Sequence, residues 1–268
     1  MASVRALRLI ALFTAVVLLG TAVLAPAQSA RADAGAPRWT SGDFWLYTDP
    51  TDQNSTLRVD VVGREQATTL LGGSYDTFHL RQAISAGSFS ITQDLWVRES
   101  DLGVVRTSFT AFNTLTITTY DPPQTQANFP LSLNKAWSVT VEGAIKLGNF
   151  NPTRFNTTIA ASVDAELDVA VPAGTFHSFS IRPAGGGAYT KLYYSDQVGY
   201  WSKQEQYNGG GTKTGEMVLS QYKYQWNTTF LAIIGAVIAL IAVLVVAYLY
   251  RKRKKAVGLP GGPAAPPP

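Results

Sequence analysis

With 268 residues and no cysteine, the chain is long enough for one or two domains. It forgoes disulfides, thiol catalysis, cysteine-based zinc sites and a lipidated N-terminal cysteine. Its formal charge of +4 is an end effect: Arg5, Arg8 and Arg31 lie near one terminus and Arg251, Lys252, Arg253, Lys254 and Lys255 near the other, while residues 35–228 hold 14 basic against 17 acidic side chains. A middle section with no basic surplus offers no electrostatic footing for nucleic acid, and none is expected as a partner.

The first element reads as a secretory signal peptide over residues 1–32. Arg5 and Arg8 form a positive start, Leu9–Leu24 is an uncharged apolar run, and Ala25-Pro26-Ala27 and Ala30-Arg31-Ala32 supply small-x-small cleavage patterns. An uncleaved anchor is the competing reading, but 16 apolar residues are short for a membrane span.

Period-2 alternation dominates from Trp39 to Trp226. Leu57–Val62, Ser88–Thr92, Leu115–Thr118, Trp137–Val141, Ala165–Val171 and Phe179–Arg182 each place apolar residues on one side of an extended strand. Gly72-Gly73, Asp121-Pro122-Pro123, Asn149–Pro152 and Gly185-Gly186-Gly187 read as turns. Gly209-Gly210-Gly211 reads as a hairpin tip. Residues 35–228 are therefore expected to form one all-β extracytoplasmic domain.

That domain carries an internal duplication. Gly73-Ser-Tyr-Asp-Thr-Phe-His-Leu-Arg81 aligns without gaps to Gly174-Thr-Phe-His-Ser-Phe-Ser-Ile-Arg182, with Glu65 and Glu166 at the same offset. Asp43–Trp45 resembles Lys135–Trp137, and Leu95–Gly103 resembles Leu192–Gly199. The halves run over 39–122 and 129–225. Chance similarity between two β-rich segments is the competing account. The duplication predicts an antiparallel sheet forming one barrel-like or sandwich unit, with two separate small β-domains as the alternative.

Val171-Pro-Ala-Gly-Thr-Phe-His-Ser-Phe-Ser-Ile-Arg182, followed by Tyr193-Tyr-Ser-Asp-Gln-Val-Gly-Tyr200, resembles a signature of uncharacterised exported prokaryotic β-proteins. These are distantly similar to the half-open barrels of the periplasmic lipoprotein-carrier superfamily. The resemblance covers about 171–206 and weakens in the first half, where Leu71-Gly-Gly-Ser-Tyr75 lacks the proline. It implies a curved antiparallel sheet with a concave apolar face; it does not imply an enzyme activity. Those carriers lack a C-terminal span, and a tethered domain cannot shuttle between membranes.

Candidate sites are sparse. Trp45, Tyr47, Trp96, Tyr193, Tyr194 and Trp201 are the aromatics that a curved sheet could turn towards a lipid or other apolar ligand. His79 and His177, read as two positions apart in the aligned repeats, could share a face with Asp76 as metal ligands, but two histidines on exposed strands are the simpler account. Glu99 and Asp101 could serve acid–base chemistry, but charges beside a turn are more often solvated. Ser195-Asp196 has no histidine nearby in sequence. No enzyme, metal or cofactor is expected. Asn54 and Asn156 begin glycosylation sequons.

Phe230–Tyr250 is 21 residues without charge, enough to cross a hydrocarbon layer as a helix. Tyr222, Tyr224 and Trp226 stand before it, and Tyr248 and Tyr250 close it. The basic cluster follows at once, so residues 251–268, proline-rich at their end, read as a disordered cytoplasmic tail. The expected topology is a single-pass cell-membrane protein with its N-terminus outside. Its partners would be the bilayer, through 230–250, and an unknown ligand or protein. The expected role is an anchored binding or interaction module; a structural or assembly partner of a membrane complex is the alternative.

Overall fold

The computed structural model describes residues 33–225 except Gln53, together with Val237, Leu240 and Ile241. The signal-peptide reading over 1–32 and the tail reading over 251–268 lie outside the described residues. So does the span at 230–250, apart from those three positions, which are helical. Among the described residues no helix is long and apolar enough to cross a membrane.

The first six strands are β1 (Phe44–Thr48), β2 (Ser55–Thr68), β3 (Ser74–Ala86), β4 (Phe89–Arg98), β5 (Gly103–Ala111) and β6 (Thr114–Gln124). The next six are β7 (Ala136–Leu147), β8 (Thr153–Val171), β9 (Gly174–Pro183), β10 (Tyr189–Ser195), β11 (Tyr200–Tyr207) and β12 (Lys213–Lys223). Each pairs antiparallel with its sequence neighbours, and β1 also pairs with β12, closing a barrel. The half-open barrel that the resemblance implied is thus shut, because Phe44–Thr48 finds partners on both sides and leaves no free edge. One closed ladder also replaces the sandwich and the two-domain alternatives.

Cross-strand register fixes which side chains share a face. Trp45 stands opposite Val59, Val61 opposite Leu80, Leu80 opposite Leu95, and Phe179 opposite Tyr194. All of these are buried, so this face points inward. The alternate residues, such as Arg58, Asp60, Arg81 and Asp94, are polar and face outward. A lipid-embedded barrel shows the reverse pattern.

The two halves retrace each other. The β2–β3 ladder slips at Val61/Gly63, opposite Leu80 and His79; the β8–β9 ladder slips at Val163/Ala165, opposite Ile181 and Ser180, the aligned pair. The turn between β2 and β3 folds back onto β6, where Leu70 N–H donates to Thr119 Oγ1 at 3.1 Å. The turn between β8 and β9 folds back onto β12, where Ala173 N–H donates to the Leu219 carbonyl at 3.1 Å.

Two details of the sequence reading change. Asp121-Pro122-Pro123 is not a turn but lies within β6, where four residues of β6 stand against Val105 alone. Prolines, having no N–H to donate, fit such a break in the ladder. Glu65 and Glu166 are not equivalent either. The first turn is one residue longer, so Glu65 pairs with Thr77 while Leu167 takes that place opposite Ser178. One residue of slip sends Glu65 outward and Glu166 inward.

Six of the eleven strand connections, taken alternately from β1–β2 to β11–β12, lie at one end of the barrel, here the far rim. The chain enters at β1 and leaves β12 at the other end, where Phe44 pairs with Lys223.

Candidate functional site

The six aromatics chosen from sequence divide between the two faces. Trp45, Tyr47, Tyr194 and Trp201 point inward and are at most 2% exposed. The two β1 rings lock that strand to the β10–β11 turn and to β11: Trp45 Nε1–H donates to the Val198 carbonyl at 2.7 Å and Tyr47 O–H to the Trp201 carbonyl at 2.8 Å. Trp39 joins them, packed edge-on against Phe78, Trp45 and Tyr200 and donating to the Gly199 carbonyl at 2.9 Å. This cluster fills the barrel at the end where the chain enters and leaves.

Trp96 and Tyr193 face outward at equivalent places in the two halves. Arg106 lies 4.5 Å over the Trp96 ring, and Lys203 lies 4.3 Å over Tyr193. Each aromatic also donates to a carboxylate: Trp96 Nε1–H to Glu65, and Tyr193 O–H to Glu205 at 2.6 Å. Burial works to raise the Glu205 pKa, but hydrogen bonds from Lys203, Tyr193 and Tyr207 outweigh it and hold the carboxyl down at about 2.

The histidines do not share a face. His79 aligns with Ser180 and His177 with Asp76, three positions apart rather than two, and an odd offset along a strand reverses the side. His79, stacked on Trp96 at 4.9 Å, holds Asp94 at 2.8 Å through Nε2 and Glu65 at 3.4 Å through Nδ1. His177 holds Glu166 at 2.9 Å and Asp168 at 3.2 Å. In both, the carboxylates lie on different ring nitrogens and do not converge on one point. Among the described residues no group of three or more such side chains fits a metal ion.

The other polar candidates are committed to structure. Glu99 accepts from Trp39 N–H at 2.8 Å and pairs with Arg64 at 2.8 Å. Asp101 binds the Arg98 guanidinium, Gly103 N–H and Thr125 O–H, fixing the β4–β5 turn. Ser195 is fully buried and its Oγ has no partner, so no histidine stands ready to take its proton. Asn54 lies exposed in the β1–β2 turn, and Asn156 lies exposed within β8.

Two clefts mark the ends. Near the chain's entry, one of about 620 Å³ is lined by Arg64, Glu65, Tyr75, Asp76, Arg98 and Glu99 among others, a mixed-charge surface. Its edge is held by Tyr75 O–H donating to Asp121 at 2.6 Å; burial, with that bond, pushes the Tyr75 pKa up to about 12. At the far rim a cleft of about 660 Å³ is lined by Ile145, Leu147, Phe150, Asn151 and Thr153. None of the six aromatics borders it.

The far-rim cleft continues the barrel's inner face. Ile84, Ile91, Phe109, Ile145 and Leu147 point inward by register but are only half-buried or exposed, because among the described residues no plug like Trp39 covers this end. Phe89, Phe112 and Phe150 crown the neighbouring turns at 60%, 101% and 76% exposure. Sequence reasoning weighed aromatics inside strands and passed over these three. The signal was present, since Phe112 and Phe150 sit beside Asn in turns, where polar residues are the rule, and Phe89 follows Gly87-Ser88 at the start of β4.

No family model matches the chain, and no curated protein is similar to it. Among solved structures it is similar to a crystal structure described as "a putative lipoprotein from Parabacteroides distasonis ATCC 8503", at 14% identity over 72% of this chain and 100% of that one, with a TM-score of 0.32.

Proposed function

We propose that this protein is a membrane-anchored extracytoplasmic binding module whose far rim takes an apolar ligand or the apolar surface of a partner. A signal peptide over 1–32 exports it, a helix over 230–250 holds it, and the basic tail 251–268 stays in the cytoplasm. The helical, half-exposed state of Val237, Leu240 and Ile241 fits such a helix, whose side chains would meet lipid. The signature over 171–206 fits export.

One observation carries the binding role. Much of the inner face is apolar, and among the described residues the aromatic filling lies at the entry end alone. Ile84, Phe109, Ile145 and Leu147 remain open to solvent beside a ligand-sized cleft. An uncovered apolar concavity next to exposed phenylalanines is the usual mark of a contact surface.

The test uses the full chain in its own membrane, with a photo-crosslinking amino acid in place of Asn149 at the far rim or, as control, Asn208 in the β11–β12 turn. Light should produce a lipid or protein adduct at Asn149 and little at Asn208. Equal labelling at both positions, or none at either, would sink the reading.

A further inference from the structure

Resting on that reading, we infer that the far rim docks onto a lipid layer distinct from the one that holds the C-terminal anchor, by inserting Phe89, Phe112 and Phe150. Phe112 and Phe150 stand in the β5–β6 and β7–β8 turns, and Phe89 opens β4 just past the β3–β4 turn, so the three occupy consecutive places along the rim. Neighbouring turns are two strands apart, so the crowns stand roughly 10 Å from one another in a row.

Phe112 shows the demand most clearly. Ala111 pairs with Thr114, leaving Phe112 and Asn113 as a two-residue turn with φ of 48° and 59°. A turn with positive φ at both positions favours Asn and Gly, and a bulky side chain there is strained. Phe112 is also 101% exposed, so the ring gains no contact within the protein to offset the strain.

The surroundings fit lipid better than a protein partner. Residues 84–92, 107–118 and 145–153 are Ser, Thr, Asn, Gly and apolar side chains, with Lys146 as the one charge. These three segments carry no acidic group, the nearest acids of the rim being Asp49 and Asp52 in the β1–β2 turn, so the phenylalanine side meets little repulsion from anionic headgroups, and Lys146 attracts them. The apolar crowns protrude singly rather than forming a flat, close-packed patch, which suits a soft layer. Backbone groups at the tips are satisfied internally, as insertion requires: Gly148 N–H donates to the Leu115 carbonyl at 2.7 Å and Phe150 N–H to the Leu147 carbonyl at 3.0 Å.

The direction of the chain selects which layer. β12 ends at Lys223 on the entry side, and only residues 224–229 separate the barrel from Phe230. Six extended residues reach roughly 20 Å. An 11-residue strand such as β6, tilted as barrel strands are, gives the barrel a height of about 25 Å. The linker is too short to run back along the barrel and press the far rim onto the anchoring bilayer, so the phenylalanines face a second surface.

The experiment reconstitutes the full chain in nanodiscs and adds protein-free vesicles of phosphatidylcholine and phosphatidylglycerol. Because the chain has no cysteine, Ser88→Cys beside Phe89 carries a polarity-sensitive dye, and Gly209→Cys on the opposite side of the rim is the control. Vesicles should blue-shift the dye at Ser88→Cys and leave Gly209→Cys unchanged, and nanodiscs should co-float with the vesicles. Phe112→Ser with Phe150→Ser should lower co-flotation by about tenfold or more, two phenyl rings' worth of burial. Melting at the wild-type temperature would show that the variant is folded. No co-flotation, or co-flotation indifferent to these substitutions, overturns the inference. If crosslinking at Asn149 nonetheless yields a protein adduct, the binding reading stands and its occupant is a protein.

Discussion

At the scale of single residues, Glu205 is the most heavily committed charge. Its side chain is 8% exposed and accepts from Tyr193 at 2.6 Å, Tyr207 at 2.9 Å, Lys203 at 2.8 Å and Lys213 at 3.3 Å. Its folded pKa of about 2 lies below the ordinary 4.5. The folded state therefore binds fewer protons than the unfolded one between those values. The stability this group contributes is fully present above about 4.5 and is lost as pH falls through about 2. Glu205→Gln should lower stability at neutral pH by about 1–3 kcal/mol and flatten the acid limb between those values in denaturant titrations. An unchanged acid slope would show that the cluster contributes nothing to it. Lys203 and Tyr207 share Glu205's face two residues away on β11, but Tyr193 and Lys213 reach it only through the pairing of β10, β11 and β12.

At the scale of elements, the β2–β3 turn is held to β6 by one aspartate. Asp121 accepts from Tyr75 at 2.6 Å and Thr69 at 3.3 Å, and Leu70 N–H is held by Thr119 next door. Asp121→Ala removes two bonds and leaves a half-buried tyrosine hydroxyl unpaired, at a cost of about 1–3 kcal/mol. Amide exchange should rise across residues 69–77 and stay unchanged in the aligned β8–β9 turn, which is held by Ala173 instead. Uniform protection would mean that the turn is held by its ladder alone. Most strands were legible from alternation, since Leu57–Val62, Trp137–Val141 and Phe179–Arg182 each have one buried face. The prolines at 122 and 123 misled because a break within a ladder and a turn call for the same residue.

At the scale of the whole molecule, the absence of cysteine makes the topology directly readable. Ser100→Cys, at the barrel's entry end, should react with a membrane-impermeant maleimide on intact cells. Ala256→Cys, beyond the basic cluster, should react only after permeabilisation. The opposite pattern would invert the proposed orientation and leave the far rim facing the cytoplasm.

The sequence by itself determined the all-β class, the outward charge pattern and the repeated order of strands, because alternation and glycine punctuation are local and each strand must bury one face. It also contained Phe112 and Phe150, though only as aromatics out of place in turns. Tertiary structure decided that the sheet closes, that Trp45, Tyr47, Tyr194 and Trp201 fill the entry end, and that the apolar lining stays open at the other. Closure depends on β1 meeting β12, whose paired residues, Thr48↔Val218 to Phe44↔Lys223, lie 170 to 179 positions apart in the chain. Exposure depends on which end the Trp39 segment plugs, and no periodicity within a strand records what will be packed over it.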